Sequence, residues 1–176
     1  MTNPWHDVEL GEKYPENVNV IIEIPKNCPL KYEIDKKTGL LVLDRVLYSS
    51  VHYPGDYGFV PRTYCDDGDA MDVIVITGHP VHPGVQASAR IIGVMHMVDS
   101  NEKDDKLIAV YEKDPRYDEV KNINDLPKHT LKELKHFFET YKELQNKEVK
   151  VSEFKGKEVA YEVLKRSVEM YNKKFK

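Results

Sequence analysis

Asp66-Asp67-Gly68-Asp69-Ala70-Met71-Asp72 carries four carboxylates in seven residues. A turn needs only one Asp before its Gly, and four adjacent negative charges repel one another. Such a cluster is most easily tolerated when a divalent cation neutralises it. Ligands that are all oxygen point to Mg²⁺, Mn²⁺ or Ca²⁺. A solvated acidic hairpin turning at Asp67-Gly68 accounts for the same stretch, so two readings stand. A calcium EF-hand loop fits poorly, because the Gly is misplaced and no Glu closes the loop.

A second acidic group, Asp99-Ser100-Asn101-Glu102-Lys103-Asp104-Asp105-Lys106, follows the apolar run Arg90–Val98. Alone it reads as a charged loop. Two acidic loops at neighbouring strand ends are also how a multi-metal site is assembled. Glu23, Lys31, Glu33 and Arg45 add acids and cations at alternating positions on otherwise apolar strands. That face is either solvated or lines a barrel mouth. In the second case it offers metal-binding acids beside phosphate-binding cations, Arg as a bidentate partner and Lys as a point charge. His79-Pro80-Val81-His82 sits among Gly and Pro and reads as a surface loop rather than a zinc pair. His136 falls in an amphipathic helix and reads as packing or interface.

These residues need a scaffold of short strands. Val18–Ile24, Lys31–Ile34, Leu40–Leu43, Val73–Ile76 and Arg90–Val98 read as strands, separated by Gly and Pro punctuation. No long helical crossovers divide them, which predicts a closed or nearly closed β-barrel. The last third changes period. Asn124-Asp125-Leu126-Pro127 predicts a helix entry. Leu131, Leu134, Phe137, Phe138, Tyr141 and Leu144 then fall on one helical face. A second helix is expected from about Glu158 to Tyr171, with Val159, Val163, Leu164, Val168 and Tyr171 inward and Gly156 in the turn before it.

The whole chain, 176 residues, is expected to form one domain at about 150 residues per domain. Lys plus Arg is 26 and Asp plus Glu is 30, so the formal charge is 26 − 30 = −4. That argues against a generic nucleic-acid or anionic-membrane binder. Cys28 and Cys65 make neither a disulfide framework nor a four-ligand zinc site. No run approaches the roughly 20 apolar residues of a membrane span. The N-terminus lacks a basic start followed by an apolar stretch, so the expected location is the cytoplasm.

Taken in order, several segments carry a resemblance. They are Ile22-Glu23-Ile24-Pro25, Lys31-Tyr32-Glu33-Ile34-Asp35, Leu43-Asp44-Arg45 and Tyr53-Pro54-Gly55-Asp56-Tyr57-Gly58-Phe59. Asp67-Gly68-Asp69-Ala70-Met71-Asp72, Asp99 with Asp104 and Lys106, and Phe137-Phe138-Glu139-Thr140-Tyr141-Lys142 follow. The chain resembles the soluble inorganic pyrophosphatases of the metal-dependent β-barrel type. The resemblance implies a mainly β fold with α, an OB-type five-stranded barrel with C-terminal helices packed on it. It implies Mg²⁺-dependent hydrolysis of pyrophosphate to two orthophosphates by a metal-activated water, attacking in line.

By the same resemblance Asp67, Asp72 and Asp104 hold the tightest metal, and Asp72 reaches a second. Asp99 and Asp104 hold a third, and Glu23 helps with a fourth. Asp69 is the general base. Lys31, Arg45, Lys106, Tyr141 and Lys142 bind phosphate, while Glu33 and Tyr57 complete the hydrogen-bonding shell. Three to four Mg²⁺ per site are implied, with Mn²⁺ as a substitute and Ca²⁺ as an inhibitor. A homohexamer is implied, with no nucleic-acid or membrane partner. The chain departs from the family pattern at Ala70, where Pro is usual, and at Ser100 and Asn101, where acidic or Gly residues are common. Two other classes fit the sequence less well. An OB nucleic-acid module wants a basic groove with stacking rings. A calcium-binding protein leaves Lys31, Arg45 and Lys142 without a role.

Overall fold

Alternation of Val18, Val20 and Ile22 with polar Asn17 and Asn19 starts β1 (Asn17–Ile24), whose second half is buried on both faces. The computed structural model describes residues 2–176. A short helix α1 (Pro4–Asp7) precedes β1. The strands that follow are β2 (Leu30–Ile34), β3 (Leu41–Val46), β4 (Asp56–Val60), β5 (Met71–Ile76) and β6 (Gln86–Asp99). Then come β7 (Glu102–Lys103), β8 (Lys106–Tyr111), α2 (Lys128–Thr140), β9 (Val149–Gly156) and α3 (Lys157–Phe175).

Five strands form a ring. β1 pairs with β4, β4 with β5, β8 with β6, and β6 back with β1, all antiparallel. The β5–β8 pair is parallel and completes the circuit. Closure removes the exposed strand edges that would otherwise template aggregation. This is the expected five-stranded barrel with a C-terminal helix packed on it. β2 and β3 stand outside the ring as a separate hairpin. Gly58 is required where β4 crosses β1, since a Cβ there would lie 1.9 Å from the Ile21 carbonyl oxygen.

Two apolar layers hold the ring. Ala160 and Leu164 of α3 pack with Val20, Ile22, Val73 and Leu107. Leu134, Phe137 and Phe138 of α2 pack with Ile24, Tyr57, Ile108 and Met95. Burying each such large side chain contributes roughly 1.5–3 kcal/mol.

The structure adds four strands that local patterning did not mark: β4, the two-residue β7, β8 and β9. It also corrects the helices. Asn122 caps a short 3₁₀ turn over Ile123–Asp125, and α2 begins only after Pro127. α2 ends at Thr140, so Leu144 is not on its face; a separate 3₁₀ turn over Glu143–Gln145 leaves Leu144 63% exposed. Asn146, at φ 56°, ends that turn. α3 runs longer than expected, and Val159 in its first turn faces outward rather than inward. Gly156 is its N-cap, and Leu164 and Tyr171 are buried as expected.

Candidate active site

The ring brings the two acidic loops to one end of the barrel. Asp72 lies on β5 and Lys106 opens β8; because these strands run parallel, both stand at the same end. Lys106 Nζ donates to Asp72 Oδ2 at 2.5 Å and also to Asp104. Burial alone would lower the Lys106 pKa, but the Asp72 and Asp104 charges outweigh it and hold the ammonium well above its usual range. Its Nζ also lies 5.7 Å from the centroid of the Tyr57 ring.

Asp67 and Asp69 sit on the exposed loop before β5. Gly68 there takes φ +87°, and the Asp69 N–H donates to Asp67 Oδ1 at 3.0 Å. Burial pushes the Asp67 pKa up, and the neighbouring charges of Asp69, Asp72 and Asp104 push the same way. Burial likewise raises Asp104; Lys106 opposes this and Asp72 adds to it. Asp67, Asp72 and Asp104 line one recess beside α3.

Glu23 falls at a register shift in β1, between Ile22 and Ile24. Such shifts re-aim a side chain. Glu23 Oε1 accepts from the Ile34 N–H at 2.8 Å, tying the β2–β3 hairpin to the barrel. Burial and then the Asp72 charge push its pKa up to about 8. On the hairpin, Lys31 and Arg45 are cross-strand partners. Lys31 pairs with Glu33 at 3.0 Å and Asp44 at 3.3 Å, and Arg45 pairs with Asp44 at 2.5 Å. Arg45 Nε is buried without a partner. Glu23, Lys31, Glu33, Tyr57, Asp69 and Asp72 line a cavity of about 510 Å³.

Lys142 follows α2 and pairs with Asp99 at the end of β6. Burial would raise the Asp99 pKa, yet the Lys142 contact outweighs it and holds the carboxylate low. Tyr141 is buried between Phe137 and Phe138, and burial raises its hydroxyl pKa. Burial raises Tyr57 in the same way. Both hydroxyls therefore stay protonated and can donate.

Every candidate from the sequence thus falls on this end of the barrel or on the hairpin beside it. Asp44 and Lys36 join the site from outside the sequence-based candidates: Asp44 holds both hairpin cations and Lys36 pairs with Asp69. Asp44 lay inside a matched segment, which was the available signal. His79, His82 and His136 are exposed, and both cysteines are free. Ser100 and Asn101 take φ of 50° and 69° in the β6–β7 turn, the left-handed region that Gly enters without strain.

The donor set suits a hard divalent cation. Asp67, Asp72 and Asp104 offer only carboxylate oxygen, and their mutual repulsion is what a cation would relieve. Among the described residues no three His, Cys, Asp or Glu side chains already stand around one metal-sized point. Lys106, Lys142 and Lys36 occupy the carboxylates Asp72, Asp104, Asp99 and Asp69 instead.

A closed five-stranded barrel gathers acids and lysines together at one end, a set able to hold hard cations and small anions side by side. The inorganic pyrophosphatase family model matches residues 20–172. Soluble inorganic pyrophosphatase 5 of Arabidopsis thaliana is 53% identical over 169 residues, covering 96% of this chain and 78% of that protein. The crystal structure of inorganic pyrophosphatase from Thermus thermophilus superposes with a TM-score of 0.94 at 38% identity, covering 97% of this chain and 99% of that one. The Helicobacter pylori inorganic pyrophosphatase gives 0.90 at 45% identity, over 94% and 98%. The chain belongs to the inorganic pyrophosphatase family and is an inorganic diphosphatase. No helix among the described residues is long and apolar enough to cross a membrane.

Proposed function

We propose that residues 1–176 act as one domain that hydrolyses pyrophosphate to two orthophosphates with Mg²⁺, by in-line attack of water. The observation that carries this reading is the meeting of Asp67, Asp72 and Asp104 with the buried Lys106 at one barrel end. Asp67, Asp72 and Asp104 would hold the first ion, with Asp72 shared by a second. Asp99 with Asp104 would hold a third, and Glu23 would support a fourth. When bound, such ions neutralise the polyanion and lower the pKa of water from 15.7 toward ~7.

The chain's own groups do the rest. Asp69 accepts the proton of the attacking water, which fits its exposed place on the loop beside the cavity. Lys31, Arg45, Lys106 and Lys142 draw charge onto the phosphates, as positioning and electrostatics dominate phosphoryl transfer. The orphaned Arg45 Nε supplies a donor already desolvated and awaiting an acceptor. Tyr57 and Tyr141 donate from hydroxyls that burial keeps protonated. Glu33 holds Lys31 in place. Mn²⁺ substitutes for Mg²⁺, Ca²⁺ inhibits, and the enzyme assembles as a homohexamer in the cytoplasm.

The test is phosphate release from pyrophosphate with millimolar Mg²⁺, with excess Ca²⁺ and with chelator, beside ATP. Release that needs Mg²⁺, falls with Ca²⁺ and is absent for ATP is expected. Equal release in chelator would overturn the metal assignment.

A further inference from the structure

Lys36 lies at the tip of the β2–β3 hairpin and reaches across to the acidic loop. Its Nζ pairs with the Asp69 carboxylate and donates to the Gly68 carbonyl at 3.3 Å. The tip that carries it is tied together by hydrogen bonds to one carboxylate oxygen. Asp35 Oδ1 accepts from the Thr38 N–H at 2.7 Å, from the Thr38 hydroxyl at 2.7 Å and from the Lys37 N–H at 3.1 Å. Behind the tip, Asn3 Nδ2 donates to the Lys36 carbonyl at 3.1 Å. The same N-terminal arm is fixed to the root of the acidic loop, where Trp5 Nε1 donates to the Thr63 carbonyl at 2.8 Å. Lys36 is thus held from behind by an arm that also grips the loop in front of it.

We propose that Lys36 is a positioning residue for the hydrolysis: it acts through Asp69, tethering that carboxylate from the hairpin side of the cavity so that it faces the attacking water. This rests on the reading of Asp69 as general base. An exposed ion pair stabilises a fold very little. Its value here is orientation, because displacing a catalytic group by about 1 Å costs up to roughly a hundredfold in rate.

The experiment measures steady-state pyrophosphate hydrolysis in saturating Mg²⁺ for the wild type, K36M, K36R, K37M and D69N, with a melting curve for each. In K36M kcat is expected to fall roughly three- to tenfold, with KM and melting midpoint unchanged. K36R restores most of kcat, because Arg can still reach the carboxylate. K37M removes the same charge one residue away and keeps wild-type kcat. An unchanged kcat in K36M, an equal loss in K37M, or no recovery in K36R would overturn the tether. If D69N keeps its turnover, the general-base reading falls and the tether with it. If D69N is inactive while K36M matches the wild type, only the tether falls.

Discussion

The barrel buries carboxylates at both ends, and it treats them in opposite ways. At one end Asp56, fully buried at the start of β4, accepts from the Lys26 N–H at 2.7 Å, the Val81 N–H at 3.0 Å and the Tyr111 hydroxyl at 2.5 Å. Fixed donors, two of them backbone, satisfy it. Burial still raises its pKa, and the three donors oppose that rise. At the other end Glu23, Asp72 and Asp104 have few backbone donors; Asp72 and Asp104 share the side-chain ammonium of Lys106, and Glu23 accepts only from the Ile34 N–H. A carboxylate completed by the backbone is finished, and it serves stability. One completed by a lysine can exchange that partner for a cation or a substrate, and it serves chemistry.

The largest effect should come from Asp69. Asp69→Asn is expected to lower kcat by about 10²–10⁴-fold, the usual contribution of a general base, with the melting curve intact. Stopped or steady-state phosphate release measures it, and a loss under about tenfold would remove Asp69 from that role.

Lys106→Met comes next. Leaving the half-buried Asp72 and Asp104 without their buried cation should cost about 1–3 kcal/mol in chelator, less than breaking a fully buried pair does. Urea midpoints with chelator and with Mg²⁺ test this. The loss should shrink with Mg²⁺, and an equal loss in both would show that the acids do not hold the ion.

At the opposite end, Asp56→Asn places an amide donor against donors. A cost of about 1–3 kcal/mol is expected, independent of Mg²⁺. A Mg²⁺-dependent loss there would erase the contrast between the two ends.

The smallest effect concerns pH. Glu23 titrates at about 8 in the folded protein against an ordinary 4.5. Between those values the folded, metal-free protein holds a proton that the unfolded chain releases. Its contribution to stability is therefore full below the unfolded value and is lost as pH rises through the folded one. Urea midpoints in chelator should fall over that window, and Glu23→Gln should flatten the slope. An unchanged slope in the variant would mean another group sets it.

Much of this site was legible because its residue types are costly to place together. Four carboxylates in the 66–72 stretch and Lys or Arg on alternating strand positions each have a benign reading as solvated surface, and it is their combination and order along the chain that carries the family resemblance. The barrel was legible from β-branched runs such as Val73–Ile76. β4 was not, because Gly58 interrupts its pattern and is explained only by the crossing of β1. β9 alternates faintly, with Lys150, Ser152 and Lys155 diluting Val149 and Val151. The parallel β5–β8 pairing and the β1–β6 closure join distant segments and leave no local trace. Leu144 misled because its spacing continued a helix that the chain had already turned out of. Lys36 escaped notice because its partner is set by hairpin docking, not by spacing.

The most direct test of the two-ended account is phosphate release from pyrophosphate in Mg²⁺, per folded molecule, for Asp72→Asn beside Asp56→Asn. The account predicts near-complete loss in the Asp72 variant and wild-type turnover in whatever fraction of the Asp56 variant is folded. Retained turnover with Asn at position 72, or equal loss at both ends, would contradict it.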